Sequence, residues 1–188
     1  MSSQPNTYIS PEEYLAIERQ AEYRSEYCAG EMFAMTGASR HHNIITLNIS
    51  AEIRSQLLSR PCNVYSTDMR VKISGTVKYT YPDIVATCGD EQFEDAESDT
   101  LLNPQLIIEV LSPSTEGYDR GKKFEAYQRI ASLVEFILVS QEPYRVEHFV
   151  RESERRWAYS EYRTAEDTVQ LKSIGCELTL EDIYIKVA

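Results

Sequence analysis

Apolar positions change their spacing several times along the chain, and each change predicts an element. Ser10-Pro11-Glu12-Glu13 supplies an N-cap serine, a proline at the first helical position and a capping-box glutamate, followed by Tyr14, Ile17 and Ala21 at helical spacing. A helix to about Tyr23 is expected. Glu26 to Met35 reads as a hairpin turning near Ala29-Gly30, and Ile44, Leu47, Ile49, Ala51, Ile53, Leu57 and Leu58 mark a second amphipathic helix. From Val64 to Ile73 the period falls to two. Tyr65, Thr67, Met69, Val71 and Ile73 form one face and Ser66, Asp68, Arg70 and Lys72 the other, the pattern of one half-buried strand with a charged side.

Further along, the apolar runs become continuous. Residues 106–111 and 136–139 suit strands covered on both faces, and between them lies a segment beginning at Asp119 that reads as a helix. Strand, helix, strand is the signature of a right-handed parallel crossover. Arg145 to Val150 and Trp157 to Tyr162 predict an antiparallel hairpin at the sheet edge, with a charged turn from Arg151 to Arg156. Thr179-Leu180-Glu181-Asp182 reads as a second capping box, opening a short terminal helix. The fold class is α/β, a mixed sheet flanked by helices. With no linker-like stretch and no fixed repeat, residues 1–188 are expected to form one domain.

Two of the apolar runs carry one acid each. Tyr81-Pro82-Asp83-Ile84-Val85 holds Asp83, and Leu106-Ile107-Ile108-Glu109-Val110-Leu111 holds Glu109. A carboxylate in such a run is costly to bury unless it is paired, protonated or bound to a cation. One divalent metal between the two acids would explain both, since hard cations take carboxylate, carbonyl and water oxygens. Arg120, Lys123 and Tyr127 are spaced i, i+3, i+7 and would lie along one helical stripe near the acids. On residue types alone, an edge-strand Asp83, an arginine-paired Glu109 and a solvated Lys123 remain open readings.

Longer motifs narrow the choice. Glu26-Tyr-Cys-Ala-Gly30-Glu31, His42, Tyr65-Ser-Thr-Asp68-Met-Arg70-Val71, Pro82-Asp83-Ile-Val, Ile108-Glu109-Val-Leu-Ser112-Pro113-Ser114-Thr115 and Asp119-Arg-Gly-Lys-Lys123-Phe-Glu-Ala-Tyr127 span most of the chain. Together they resemble the Uma-type family of restriction endonucleases, a bacterial group within the PD-(D/E)-x-K nuclease superfamily. The resemblance implies a restriction-endonuclease-like core in which Asp83 and Glu109 hold Mg²⁺ or Mn²⁺, and a lysine assists the attack of water on a DNA phosphodiester. The superfamily pattern breaks at Leu111, where its lysine would stand two residues after Glu109. Lys123 matches the lysine of the Uma-type pattern and takes that role, whereas Lys122 lies about 100° around the helix. The backbone carbonyl of Val110 would be a further metal ligand in that arrangement, and Glu26, Glu31, His42, Arg120 and Tyr127 are secondary candidates. As a helix residue, Lys123 is expected to contribute little to packing.

Charge pulls against a DNA substrate. Nineteen basic residues against 30 acidic ones give a net charge of −11, whereas a duplex-binding protein ordinarily presents a basic face. Acids at Glu91, Glu94, Asp95, Glu97 and Asp99 suggest an exposed loop, leaving Arg40, Arg54, Arg60, Arg70, Lys72 and Lys78 for a phosphate-binding face. A nuclease fold that no longer cuts and serves as a nucleic-acid-binding or assembly module is the alternative. Adjacent His41 and His42 point in different directions and make a poor zinc site, and His148 reads as structural. Ser112-Pro113-Ser114-Thr115 lacks the context of a serine hydrolase, and without a phosphate loop or dinucleotide fingerprint no nucleotide cofactor is expected. Cys28, Cys62, Cys88 and Cys176 are scattered without a Cys-x-x-Cys pair and read as reduced thiols. No leader-like amino terminus and no apolar run near 18 residues point to a cytoplasmic protein without a membrane span. Thirteen tyrosines and an edge hairpin suggest a homodimer, which would also suit cutting both strands of a duplex.

Overall fold

The computed structural model describes residues 8–73, 75, 77–113 and 115–187. Its centre is a six-stranded sheet in the order β11-β10-β9-β8-β6-β3, formed by β3 (Cys62–Ser66), β6 (Ile84–Cys88), β8 (Leu106–Val110), β9 (Glu135–Val139), β10 (Val146–Ser153) and β11 (Arg156–Tyr162). β8 and β9 pair in parallel and their neighbours pair antiparallel, giving the crossover and the edge hairpin the sequence suggests. All five residues of β8 are buried, as are all five of β9. Alternate side chains therefore feed two cores. Leu106, Ile108 and Val110 pack beneath α2 (Arg40–Leu57), while Ile107 points to the opposite face with Tyr127, Phe136 and Leu138. Each such apolar side chain contributes about 1.5–3 kcal/mol when removed from water.

α2 covers one face through Ile45, Ile49, Ile53 and Leu57. The apolar stripe thus passes through Ile45 rather than Leu47, Ala51 and Leu58, which stay exposed. Beside α2 stands a hairpin with no counterpart in the sequence reading, β12 (Thr168–Leu171) with β13 (Cys176–Thr179), leading into α5 (Leu180–Tyr184). Thr179 caps α5, accepting the Asp182 N–H while its own hydroxyl donates to the Asp182 carboxylate at 2.5 Å. The cap is made, but by a threonine–aspartate pair rather than a reciprocal capping box.

A second sheet has the order β2-β1-β5-β4-β7, from β1 (Ser25–Cys28), β2 (Glu31–Ala34), β4 (Arg70–Ile73), β5 (Lys78–Thr80) and β7 (Thr100–Leu101). The β1–β2 turn forms where expected, with Ala29 (φ 48°) and Gly30 (φ 101°) both in the left-handed region that a two-residue hairpin loop requires. The expected single strand from Val64 to Ile73 is instead two strands in two sheets. Thr67 adopts a left-handed conformation (φ 53°), and its amide bonds the Asp83 carbonyl at 2.9 Å, so the chain leaves the central sheet after β3 and enters the second as β4. Period-two patterning cannot reveal such a break, because both halves keep it.

α1 (Pro11–Glu18) carries the expected capping box with Ser10 and Glu13 but stops short of Tyr23. The buried Glu18 carboxylate accepts the Ser25 N–H at 2.9 Å and the Tyr81 hydroxyl at 3.0 Å, drawing the chain into β1. The acidic segment is tied down rather than free: Arg19 binds Asp95 and Asp99, buried Arg70 also reaches Asp99 at 2.8 Å, and Glu94 takes Lys72 and the Tyr79 hydroxyl. The cysteine expectation fails as well. Cys62 and Cys88 face each other across the antiparallel β3–β6 pair and are joined in a disulfide, a pairing made by register between residues 26 apart. Only Cys28 and Cys176 are free thiols among the described residues.

Two expectations follow. Denatured, unreduced protein should show two titratable thiols and reduced protein four; four without reductant would contradict the β3–β6 bridge. The Arg19 hydrogen bond, aided by Arg70, holds the Asp99 carboxyl well below its usual range despite opposing burial. A depressed carboxyl stabilises the fold above the unfolded pKa near 4 and loses that contribution as pH falls through the folded value. Asp99→Asn should therefore melt lower than wild type at pH 7, with the gap narrowing below about pH 4; a gap constant down to pH 2 would remove this account.

Candidate functional site

A cleft of about 1070 Å³ opens between the N-terminal end of α2, the β1–β2 hairpin and the chain leaving β8. The β6–β8 register pairs Ile84 with Ile108, and one further step sets Asp83 opposite Glu109 at the mouth of the sheet. Two acids 26 residues apart are thereby brought together by strand pairing alone. Asp83 Oδ2 accepts the Val110 N–H at 2.7 Å and faces His42 Nε2 at 3.2 Å. Glu109 Oε1 accepts the Tyr127 hydroxyl at 2.8 Å and lies 2.9 Å from Lys123 Nζ. Among the described residues, neither Asp83 Oδ1 nor Glu109 Oε2 takes a hydrogen bond.

Lys123 reaches the cleft from a helical run of three parts: α3 (Glu116–Tyr118), a π-helical turn (Asp119–Lys123) and α4 (Phe124–Tyr127). The wider π turn changes which residues share a face. Lys123 and Tyr127 point at Glu109 and Asp119 joins them, but Arg120 swings out to Glu116 and Glu147. The uniform i, i+3, i+7 stripe fails at its first member for that reason. Lys122 is exposed, as its angular offset suggests.

Lys123 is not a solvated helix residue. Its ammonium is buried among three carboxylates, 2.9 Å from Glu109, 3.4 Å from Glu26 and 3.7 Å from Asp119. Burial pushes Glu109 up to about 8, with Lys123 opposing and Asp83 and Asp119 reinforcing the rise. The Lys123 ammonium is held protonated well above its ordinary range by Glu109, Tyr127, Glu26 and Asp119, which outweigh the opposite pull of burial. Burial raises Asp119 too. One cation faces more acids than it can neutralise, so burial prevails and Glu109 and Asp119 hold their protons to higher pH than an ordinary carboxyl.

Of the secondary candidates, Glu26, His42 and Tyr127 stand at this centre, while Glu31 is exposed on β2 and does not line the cleft. Asp119 is the residue the sequence reading passed over. Its signal was its position four residues before Lys123, on the same helical face. His148, as expected, is a buried partner of Glu135 at 3.0 Å. Most basic residues considered for a phosphate face are committed elsewhere. Arg40 donates to the Lys186 and Val187 carbonyls, Arg60 to those of Ile174 and Gly175, and Lys78 to the Tyr118 hydroxyl, while Arg70 and Lys72 hold the acidic segment.

The donor chemistry discriminates between metals. Among the described residues no group of three or more His, Cys, Asp or Glu side chains is arranged to hold a metal ion, so a structural zinc centre with its four protein ligands does not fit. Two adjacent carboxylates with spare oxygens, beside open cleft space, fit a hard cation that keeps much of its water, as Mg²⁺ does.

Comparison with known proteins agrees with this architecture. The family model described as "Putative restriction endonuclease" matches residues 11–181. Uncharacterized protein slr1290 of Synechocystis sp. (strain ATCC 27184 / PCC 6803 / Kazusa) is 35% identical over 182 residues, covering 97% of this chain and 94% of its own. Uncharacterized protein sll1609 of the same organism is 37% identical over 153 residues, covering 81% and 86%. The crystal structure of a putative nuclease belonging to DUF820 from Anabaena variabilis ATCC 29413 superposes with a TM-score of 0.78 over 96% of this chain and 99% of that one. At 17% identity that likeness establishes the shared fold.

Removing the ammonium would strand buried acids. Lys123→Ala should destabilise the protein by about 3–5 kcal/mol, the usual consequence of deleting one partner of a buried pair, and Lys122→Ala should do little. Equal denaturant midpoints for wild type and Lys123→Ala would show that the carboxylates do not depend on it.

Proposed function

The chain belongs to the Uma2 family of putative restriction endonucleases, and from that membership and the cleft we propose that it is a metal-dependent nuclease hydrolysing phosphodiester bonds in DNA. The observation that carries the reading is the convergence of Asp83, Glu109 and Lys123 in one open cleft. Asp83 and Glu109 would hold Mg²⁺ or Mn²⁺, with the Val110 carbonyl as a third protein ligand. When bound, the metal supplies Lewis acidity at the phosphate and eases formation of hydroxide near neutral pH.

The chain's own groups do the rest. Val110 N–H holds Asp83 Oδ2, and the Tyr127 hydroxyl holds Glu109 Oε1, so both carboxylates are oriented before substrate arrives. Lys123 keeps a full positive charge in a buried position, where it can offset charge developing on the phosphate far better than a solvated lysine. Asp119 and Glu26 keep that ammonium in place. In this reading the protein acts in the cytoplasm as one domain, and as a homodimer that sets two clefts on one duplex.

One observation favours a second reading, a fold that binds or assembles without cutting: the cations that might grip phosphates are largely committed within the fold. Incubating purified protein with supercoiled plasmid and Mn²⁺ separates the two. Nicking or linearisation that is lost in Asp83→Asn and in Lys123→Ala, but kept in Lys122→Ala, supports the nuclease; retained supercoiling by wild type at every protein concentration contradicts it. Metal should also raise the melting temperature. Saturation at about 100 times the dissociation constant contributes roughly 2.7 kcal/mol, a rise on the order of 5–10 °C for a chain of this size. Asp83→Asn should lose most of that response, and an identical response in the variant would make the acids structural.

A further inference from the structure

We infer that His42 is a positioning residue for Asp83, fixing one carboxylate oxygen so that the other stays turned toward the cation. The inference rests on the metal-dependent reading of the cleft and extends it to a residue outside the Asp83–Glu109–Lys123 set.

His42 stands in the first turn of α2, three residues after the N-cap Ser39, whose hydroxyl accepts the His42 N–H at 3.1 Å. That cap fixes where the side chain leaves the helix. The imidazole is largely buried, and its Nε2 lies 3.2 Å from Asp83 Oδ2. Nδ1 lies 3.5 Å from the Thr46 hydroxyl, one turn further along the same helix, so both ring nitrogens have a polar neighbour that holds the orientation of the ring.

The ring nitrogen that faces the cleft acids is turned to Asp83, and the action of His42 is on that carboxylate. Oδ2 accepts the Val110 N–H from β8 and has the His42 ring from α2 against it at 3.2 Å, while Oδ1 takes no hydrogen bond among the described residues. Contacts from two elements on one oxygen hinder rotation of the carboxylate about its Cβ–Cγ bond and leave Oδ1 as the free ligand. Partners of this kind typically change metal affinity or activity 10–100-fold when removed. The neighbouring His41 supplies an internal control, since its Nδ1 turns away to Glu142 at 3.1 Å.

The test is metal affinity without substrate, read by titrating Mn²⁺ and Mg²⁺ calorimetrically, with melting in chelator as the check on folding. His42→Leu should bind both metals 10–100-fold more weakly than wild type while melting normally in chelator. His42→Gln, whose amide nitrogen can reach the Nε2 position, should recover most of the affinity, and His41→Leu should match wild type. His42→Ala serves if leucine is not accommodated. Wild-type affinity in both truncations would overturn the inference while leaving the metal site standing. A Gln variant as weak as Leu would also overturn it, because the polar contact at the Nε2 position would then not be what matters. A wild-type protein that binds neither metal removes the metal-dependent reading, and the inference with it.

Discussion

A single buried ammonium sits where three acid-bearing segments meet. Glu109 comes from the doubly covered strand β8, Glu26 from the hairpin strand β1 and Asp119 from the π-helical turn, and each lies within 4 Å of Lys123 Nζ. Acids this close in a poorly hydrated space repel one another and resist ionisation. The lysine lets them share the space, and it does so incompletely, with Asp83 adding a further negative charge at the mouth. The geometry of the centre therefore depends on one cation and invites a second.

That arrangement explains features that look unrelated. β8 buries five residues because the sheet is covered on both sides, and that covering is what keeps Glu109 from water. Two aromatic side chains close the compartment differently: Tyr127 donates to Glu109, and Tyr81 extends a separate network through Glu18 and Arg70 toward the acidic segment. Arg19 and Arg70 then bind that segment against α1 and β4. Acids are thus handled in two ways within one chain, paired with arginine in the scaffold and gathered in excess over cations in the cleft.

The helices, the first hairpin, the parallel crossover and the edge hairpin were legible because each rests on local pattern: caps, turn residues, and apolar runs of the right period. The pairing of Asp83 with Glu109 could be suspected from two acids placed in apolar strands. What pattern could not show was geometry set by other parts of the chain. The break at Thr67 leaves alternation intact, so one strand was read where two exist. The π turn rotates Arg120 out of the cleft while keeping Lys123 and Tyr127 inside it. The Cys62–Cys88 bond depends on strand register, and the burial of Lys123 depends on acids from β1 and β8. His42 stood among the sequence candidates, but its approach to Asp83 depends on where α2 points its first turn.

The central claim is that Asp83 and Glu109 share a single divalent cation in the cleft. Crystals equilibrated with Mn²⁺ and measured near its absorption edge address this directly, because the anomalous signal locates the metal without reference to any activity. The account predicts one strong peak about 2.1–2.3 Å from an oxygen of each carboxylate, with Asp83 Oδ1 as one of those atoms. A map with no peak between the two acids at saturating Mn²⁺, or with the metal bound only elsewhere on the acidic surface, would contradict it.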